Sequence, residues 1–154
     1  MVAADLVPLL VQDGDLPVGM TTGQVRQELP NNRRVDGLPE PEGVAYVQLG
    51  KSGKSAGVVF LLLYEDAEDA SVAWAAYLAD AQDTTLKVDP PQESEQFGDQ
   101  AFVWDVFTSV GALSQVGFTR CRAFVFIESD AMRDDSMAAY AKTVDRRISS
   151  AVCR

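Results

Sequence analysis

Arg120 and Arg122 stand two residues apart in a run that also holds Phe118, Phe124 and Phe126, and a second aromatic run upstream holds Phe102 and Trp104. Guanidinium groups among aromatic rings can do two kinds of chemistry. They can bind an anion through paired donors, or they can stack on the rings as cations. The chain carries 13 Lys and Arg against 23 Asp and Glu, a net charge of −10, so two arginines in an apolar stretch stand out. Phe102, Trp104, Arg120 and Arg122 are therefore the candidate ligand-binding residues. The competing structural reading, in which the arginines pair with local carboxylates over a covered sheet, is the stronger of the two.

Histidine is absent. That removes the commonest general base and the commonest metal ligand, and with them Ser-His-Asp and Cys-His catalysis. Two cysteines are too few for an all-thiolate zinc site, which needs four. The expectation is no catalytic residue, no metal site and no cofactor. Carboxylates are plentiful and a glycosidase-type pair is compatible with the sequence. None sits in a motif that marks a cleft, so a carboxylate-based hydrolase ranks last among the readings.

Three short stretches imitate motifs. Gly50-Lys51-Ser52-Gly53-Lys54-Ser55 ends as a phosphate-binding loop does. That loop needs glycine where Gln48 stands, and it must open a helix rather than the strand-like run Val58–Leu63. A hairpin turn with solvated lysines fits better. Asp13-Gly14-Asp15 lacks the spacing and closing glutamate of a calcium loop and reads as a turn. Glu65, Asp66, Glu68 and Asp69 suit the positive end of a helix without any metal.

The elements that position these residues follow from periodicity. Asp5 to Gln12 reads as a short helix capped by Asp5, with Leu6, Leu9 and Leu10 as its stripe. Residues 20 to 41 are weakly patterned; Thr22 to Glu28 fits a helical turn or an edge strand, and Pro30, Gly37, Pro39 and Pro41 mark a loop. Val44–Leu49 and Gly57–Glu65 are strands. The second is apolar on both sides, so it is central and both faces of its sheet are at least partly covered. Ala70, Ala73, Trp74, Tyr77, Leu78 and Ala81 predict an amphipathic helix over 67–82. Thr84 to Val88 suits a short strand, and Gln92 to Gln96 a polar connector. Residues 97 to 128 read as a long β-hairpin. Met137, Tyr140, Ala141, Val144, Ile148 and Val152 define a last helix over roughly 134–152, with Asp134, Asp135 and Ser136 as candidate caps and Arg146 and Arg147 toward its negative end.

Within the hairpin, alternation puts Thr119, Cys121, Ala123, Val125 and Ile127 on one face and Phe118, Arg120, Arg122, Phe124 and Phe126 on the other. Pairing Phe107 with Gly117 and Val103 with Cys121 would set Trp104 against Arg120 and Phe102 against Arg122. Each such cation–π contact would contribute roughly 0.5–1 kcal/mol. A one-residue slip would reverse the faces. A last helix of about 19 residues runs about 28 Å, the length of about eight or nine strand residues. Folded back over the preceding strand, it brings Cys153 to positions 119–121, so a Cys121–Cys153 disulfide is expected. That bond belongs to an oxidising compartment.

The 154 residues, 47% of them apolar, fit one domain spanning 1–154 with a real core. The expected fold is α+β: an antiparallel sheet of about five strands with helices packed mainly on one face. The acidic balance disfavours nucleic acid and anionic membrane surfaces as partners. No apolar run is long enough for a transmembrane segment, and no signal peptide opens the chain.

Leu9-Leu10 followed by Asp15-Leu16-Pro17-Val18-Gly19, the Gly98-Asp99-Gln100-Ala101 entry into a long hairpin, and the strand–helix ending resemble small secreted or lipid-anchored domains of actinobacteria and related bacteria. Those domains are similar to the PsbP-like α/β/α sandwich. The resemblance implies a mature extracytoplasmic domain whose signal or lipobox has been removed. It supplies no catalytic residues, and no lipobox cysteine stands near the start of this chain. The leading functional expectation is a non-catalytic extracytoplasmic binding or accessory domain for a small molecule or an envelope protein. A structural or assembly subunit using an exposed sheet face or edge is the alternative. Neither the ligand nor the oligomeric state is legible.

Overall fold

The computed structural model describes residues 3–83, 90–108 and 111–153. Among the described residues, seven antiparallel strands form one sheet: β1 Met20–Arg26, β2 Gly43–Lys51, β3 Lys54–Leu63, β4 Gln92–Glu93, β5 Gln100–Thr108, β6 Gly111–Arg120 and β7 Ala123–Ser129. Their order across the sheet is β1-β2-β3-β7-β6-β5-β4. The helices are α1 Ala3–Leu10, α2 Ala67–Gln82 and α3 Asp135–Val152, with a 3-10 turn at Asn31–Arg33. The α+β class and the antiparallel pairing agree with expectation. The strand count of about five is too low, because β1 and the two-residue β4 carry little apolar alternation and because β6 and β7 read in sequence as one strand. Thr84–Val88, expected as a strand, lies outside the described residues.

The expectation of helices mainly on one face is corrected. Val59, Leu61 and Leu63 of β3 pack with α1 and α3 residues, whereas Val58, Phe60 and Leu62 pack with Ala70, Ala73, Trp74 and Tyr77 of α2. β3 is apolar on both faces because both are covered. On the α2 side, the Phe60 ring lies 5.6 Å from Tyr77 and 5.2 Å from Phe126, and Tyr77 lies 5.0 Å from Phe124. Trp74 donates from Nε1 to the Gly117 carbonyl at 3.1 Å, which fixes α2 on β6. Asp66 caps α2 by accepting from the Asp69 amide at 2.9 Å.

The two lysine-bearing repeats, Gly50–Ser55, form the β2–β3 hairpin, with Lys51 opposite Lys54. Ser52 and Gly53 both have positive φ, 54° and 76°, as a two-residue turn of type I′ requires. α1 starts at Ala3, so Asp5 lies inside its first turn rather than capping it. Asp134 stands at the N-cap of α3 without a side-chain capping bond; Ser136 instead exchanges hydrogen bonds with the Arg133 backbone.

The long hairpin is also corrected. Residues 118–128 are two strands, not one, because the chain turns at Cys121 and Arg122 and Arg120 pairs with Ala123. Cys121 has a φ of 55°, the positive φ that a II′ hairpin turn places at its first position. The turn resets the alternation. Phe118 now opposes Val125 on the α3 side, while Thr119 opposes Phe124 on the α2 side. In β5–β6, Trp104 opposes Gln115 and Phe102 opposes Gly117 rather than the arginines. The Phe102 ring occupies the space where a Gly117 side chain would stand, so glycine is needed there.

α3 is anchored to α1 and the loop after it. Tyr140 donates to the Leu10 carbonyl at 2.6 Å, and Arg147 Nη2 meets Asp15 Oδ1 at 2.6 Å. Burial alone would raise the Asp15 pKa. Hydrogen bonds from Arg147 and the Gln12 amide, with the Arg147 charge, outweigh it and hold the pKa below 3.8. A depressed carboxylate pKa contributes stability that is complete above the unfolded value and is lost as pH falls through the folded one. Acid titration of urea stability should therefore show a loss below about pH 4 that is smaller in Asp15→Asn. An identical acid limb in that variant would contradict the assignment.

Candidate functional site

The four candidate residues do not form one surface. Phe102 is buried under α2, and Trp104 packs with Ala81 and Val106 near the end of α2. Arg120 points to the other side of the sheet. Its Nε and Nη2 reach Asp145 Oδ1 and Oδ2 of α3 at 2.7 and 2.8 Å, and Nη1 reaches Asp99 at 3.1 Å. The hydrogen bond with Asp145 raises the Arg120 pKa further against the opposing effect of burial. Asp145 also accepts from the Gly98 amide at 3.0 Å, and Asp99 accepts from the Cys121 amide at 2.7 Å. Arg122 donates to the Tyr64 carbonyl at 2.8 Å and to Glu42 at 3.1 Å. Both arginines thus pair with local carboxylates and carbonyls and are not arranged as a ladder on aromatic rings.

The Arg120 network stitches together the start of β5, the β6–β7 turn and α3. In the same place Cys121 and Cys153 form a disulfide, with Cα atoms 5.5 Å apart. The pairing agrees with the length match between α3 and the strand beneath it. The turn at Cys121 shifts the detail: the cysteine reaches α3 from the end of the hairpin rather than from mid-strand.

A concave surface lies at the same end of the strands, toward the β1 edge of the sheet. β1 pairs with β2 from Lys51 only as far as Tyr46, and the chain then leaves the sheet through residues 27–42. The departing loop and the uncovered start of β2 enclose a groove of about 580 Å³. Leu29, Leu38, Val44 and Leu62 give it apolar walls, and Leu29, Val44 and Leu62 belong to the α2-side core. Glu28, Asp36, Glu40 and Glu42 stand exposed around it, with Arg34. Arg122 partners Glu42, and Arg34 Nε donates to the Leu29 carbonyl at 3.1 Å. Glu28, Asp36 and Glu40 have no cation partner among the described residues. Burial raises the pKa of the Tyr64 phenol, and the charges of Asp69 and Glu40 add to the shift.

A second cleft of about 310 Å³ lies between the start of α3 and β5–β6, lined in part by Asp105, Asp134 and Asp135. There Ser114 Oγ donates to Asp105 at 2.6 Å, so that carboxylate already has a partner.

The groove residues were not singled out in sequence. Leu29 and the rim residues Glu28, Asp36 and Glu40 fall in the weakly patterned stretch, where helical and strand periods are both silent, while Val44 and Leu62 lie in strands read for their fold alone. A usable signal was present: residues 28–42 hold Glu28, Asp36, Glu40 and Glu42 interleaved with Pro30, Pro39 and Pro41 just before a strand. No helix among the described residues is long and apolar enough to cross a membrane. Comparison with protein-family models, with curated proteins and with solved structures finds no match to this chain.

Proposed function

We propose that the chain is a non-catalytic binding or accessory domain working outside the cytoplasm, with the 27–44 groove as its contact surface. The observation that carries this reading is an apolar groove rimmed by Glu28, Asp36 and Glu40, carboxylates with no ion-pair partner among the described residues. Apolar walls supply area for burial, and the rim supplies sign selectivity. The disulfide supports the compartment, since such bonds persist where thiols are not kept reduced. The resemblance to small secreted bacterial domains of the PsbP-like type points the same way.

The test is thermal unfolding with a cationic and an anionic aromatic probe, benzylamine and phenylacetate. Benzylamine should raise Tm where phenylacetate does not, and the rise should vanish in Glu28→Gln/Asp36→Asn/Glu40→Gln. The probe should be recovered with its mass unchanged. A response that survives in the triple variant, or a chemically altered probe, would overturn the reading.

The edge strand β1 favours the assembly alternative. Every residue after Met20 is exposed, Val18 beside it is fully exposed, and no carboxylate occurs from Leu16 to Gln27. Against this, the ladder is irregular between Thr22 and Val25, and such irregularities blunt an edge. A dimer in sedimentation velocity that Val25→Lys abolishes would favour assembly; a monomer would count against it.

A further inference from the structure

The geometry points to a short, extended, basic peptide segment as the occupant of the 27–44 groove, with one apolar side chain between lysines or arginines. The inference rests on the binding-domain reading and names the class of partner for that same site. Three observations specify it. The first is the sheet edge. β2 begins at Gly43, but β1 joins it only at Tyr46, so Gly43, Val44 and Ala45 have a strand neighbour on the β3 side alone. Unpaired strand edges accept an added extended chain through main-chain hydrogen bonds. Ala45 is fully buried and does not line the groove, so the open length is Gly43 and Val44, which suits a short segment and not a full partner strand.

The second is the floor. Val44 and Leu62 are adjacent across the β2–β3 ladder and lie on the α2-side face, with Leu29 folded over beside them. An added strand directs alternate side chains to each face of the sheet, so one central apolar residue reaches this floor. The third is charge. Glu28 comes from one arm of the loop and Asp36 and Glu40 from the other, and all three line the groove. Long cationic side chains on either side of the anchor can reach them while their stems cover apolar surface. Arg34 is the one cationic side chain lining the groove, and Arg122 is engaged with Glu42. The net field there is negative, in a chain of net charge −10, which selects a basic partner and repels a second copy of the chain.

The experiment is fluorescence anisotropy with three labelled peptides, each acetylated and amidated: Lys-Lys-Leu-Lys-Lys, Lys-Lys-Ser-Lys-Lys and Glu-Glu-Leu-Glu-Glu. The first should bind saturably and more weakly as salt is raised. The serine peptide should bind at least several-fold more weakly, and the acidic peptide should not bind. In Glu28→Gln/Asp36→Asn/Glu40→Gln, whose changed side chains are all exposed, affinity for the leucine peptide should fall about tenfold or more. No saturable binding at millimolar protein, equal binding by the triple variant, or equal binding of the serine peptide would overturn the inference. So would displacement by spermidine at the peptide's own affinity, which would assign the groove to small organic cations. A peptide-free dimer dissociated by the same substitutions would assign it to a second copy. If benzylamine stabilises through the rim while the leucine peptide fails, the partner class falls and the binding-domain reading stands; if both fail, both fall.

Discussion

Gly57→Ala should lower stability by at least about 3 kcal/mol, an unusually large cost for the addition of one methyl group. Gly57 lies near the start of the interior strand β3, opposite Ser129 of β7. Its φ is 135°, which side chains rarely adopt. A Cβ there would collide with the Glu128 carbonyl oxygen and stand 2.8 Å from the Ser129 Cα, both of them backbone atoms that cannot rotate away. Relief requires β3 and β7 to separate, and these are the strands that carry both cores. Gly53→Ala is the control. Gly53 also has a positive φ, 76°, but no atom lies within 4 Å of its Cβ position. That substitution should cost only about 1 kcal/mol, the conformational penalty alone. Urea unfolding of the two variants beside the parent measures the difference. Equal midpoints would contradict the close approach of β3 and β7.

Removal of the disulfide should cost about 3–4 kcal/mol. Cys121 and Cys153 are 32 residues apart, and a closed loop of that length restricts the unfolded chain by an amount of this order. Cys121→Ser/Cys153→Ser, which leaves no free thiol, is the appropriate variant. It should still fold at room temperature, because Arg120, Asp145 and Asp99 hold the same three elements together without the bond. The expected result is a lower denaturant midpoint with an unchanged far-ultraviolet spectrum. The parent protein, alkylated without reduction, should weigh two hydrogens less than its fully reduced form and take up no label. Two labelled thiols in native protein would remove the bond and, with it, the support for an oxidising compartment.

The fold was legible where one period dominates. The α2 stripe from Ala70 to Ala81 predicted that helix over its observed span, and the α3 stripe did nearly as well. The Cys121–Cys153 pairing followed from element lengths, which errors of one residue barely change. The hairpin failed for a specific reason. Phe118 to Glu128 alternates without a break in residue type, yet the chain reverses at Cys121 and Arg122, neither of which is a common turn residue. Alternation carried through that turn puts Phe118 on the face opposite to the one it occupies. Once Cys121 is held by its disulfide and by the Asp99 carboxylate, local turn propensity matters less.

The candidate site was less legible for a related reason. Arg120 and Arg122 were conspicuous as cations in apolar company, but buried and half-buried arginines acquire carboxylate partners from distant segments. Asp145 is 25 residues from Arg120, and Glu42 is 80 from Arg122. Sequence neighbours carry no record of such pairs. The groove escaped notice because its floor is assembled from Leu29, Val44 and Leu62, which belong to three separate segments.

The most direct measurement of the central claim is an amide chemical-shift map of the nitrogen-15-labelled protein during a benzylamine titration. The account predicts shifts centred on Leu29, Gly37, Gly43 and Val44, with Trp104, Gly117 and Arg120 unmoved. Shifts centred on Trp104, Gly117 and Arg120, with the 27–44 segment unmoved, would contradict it.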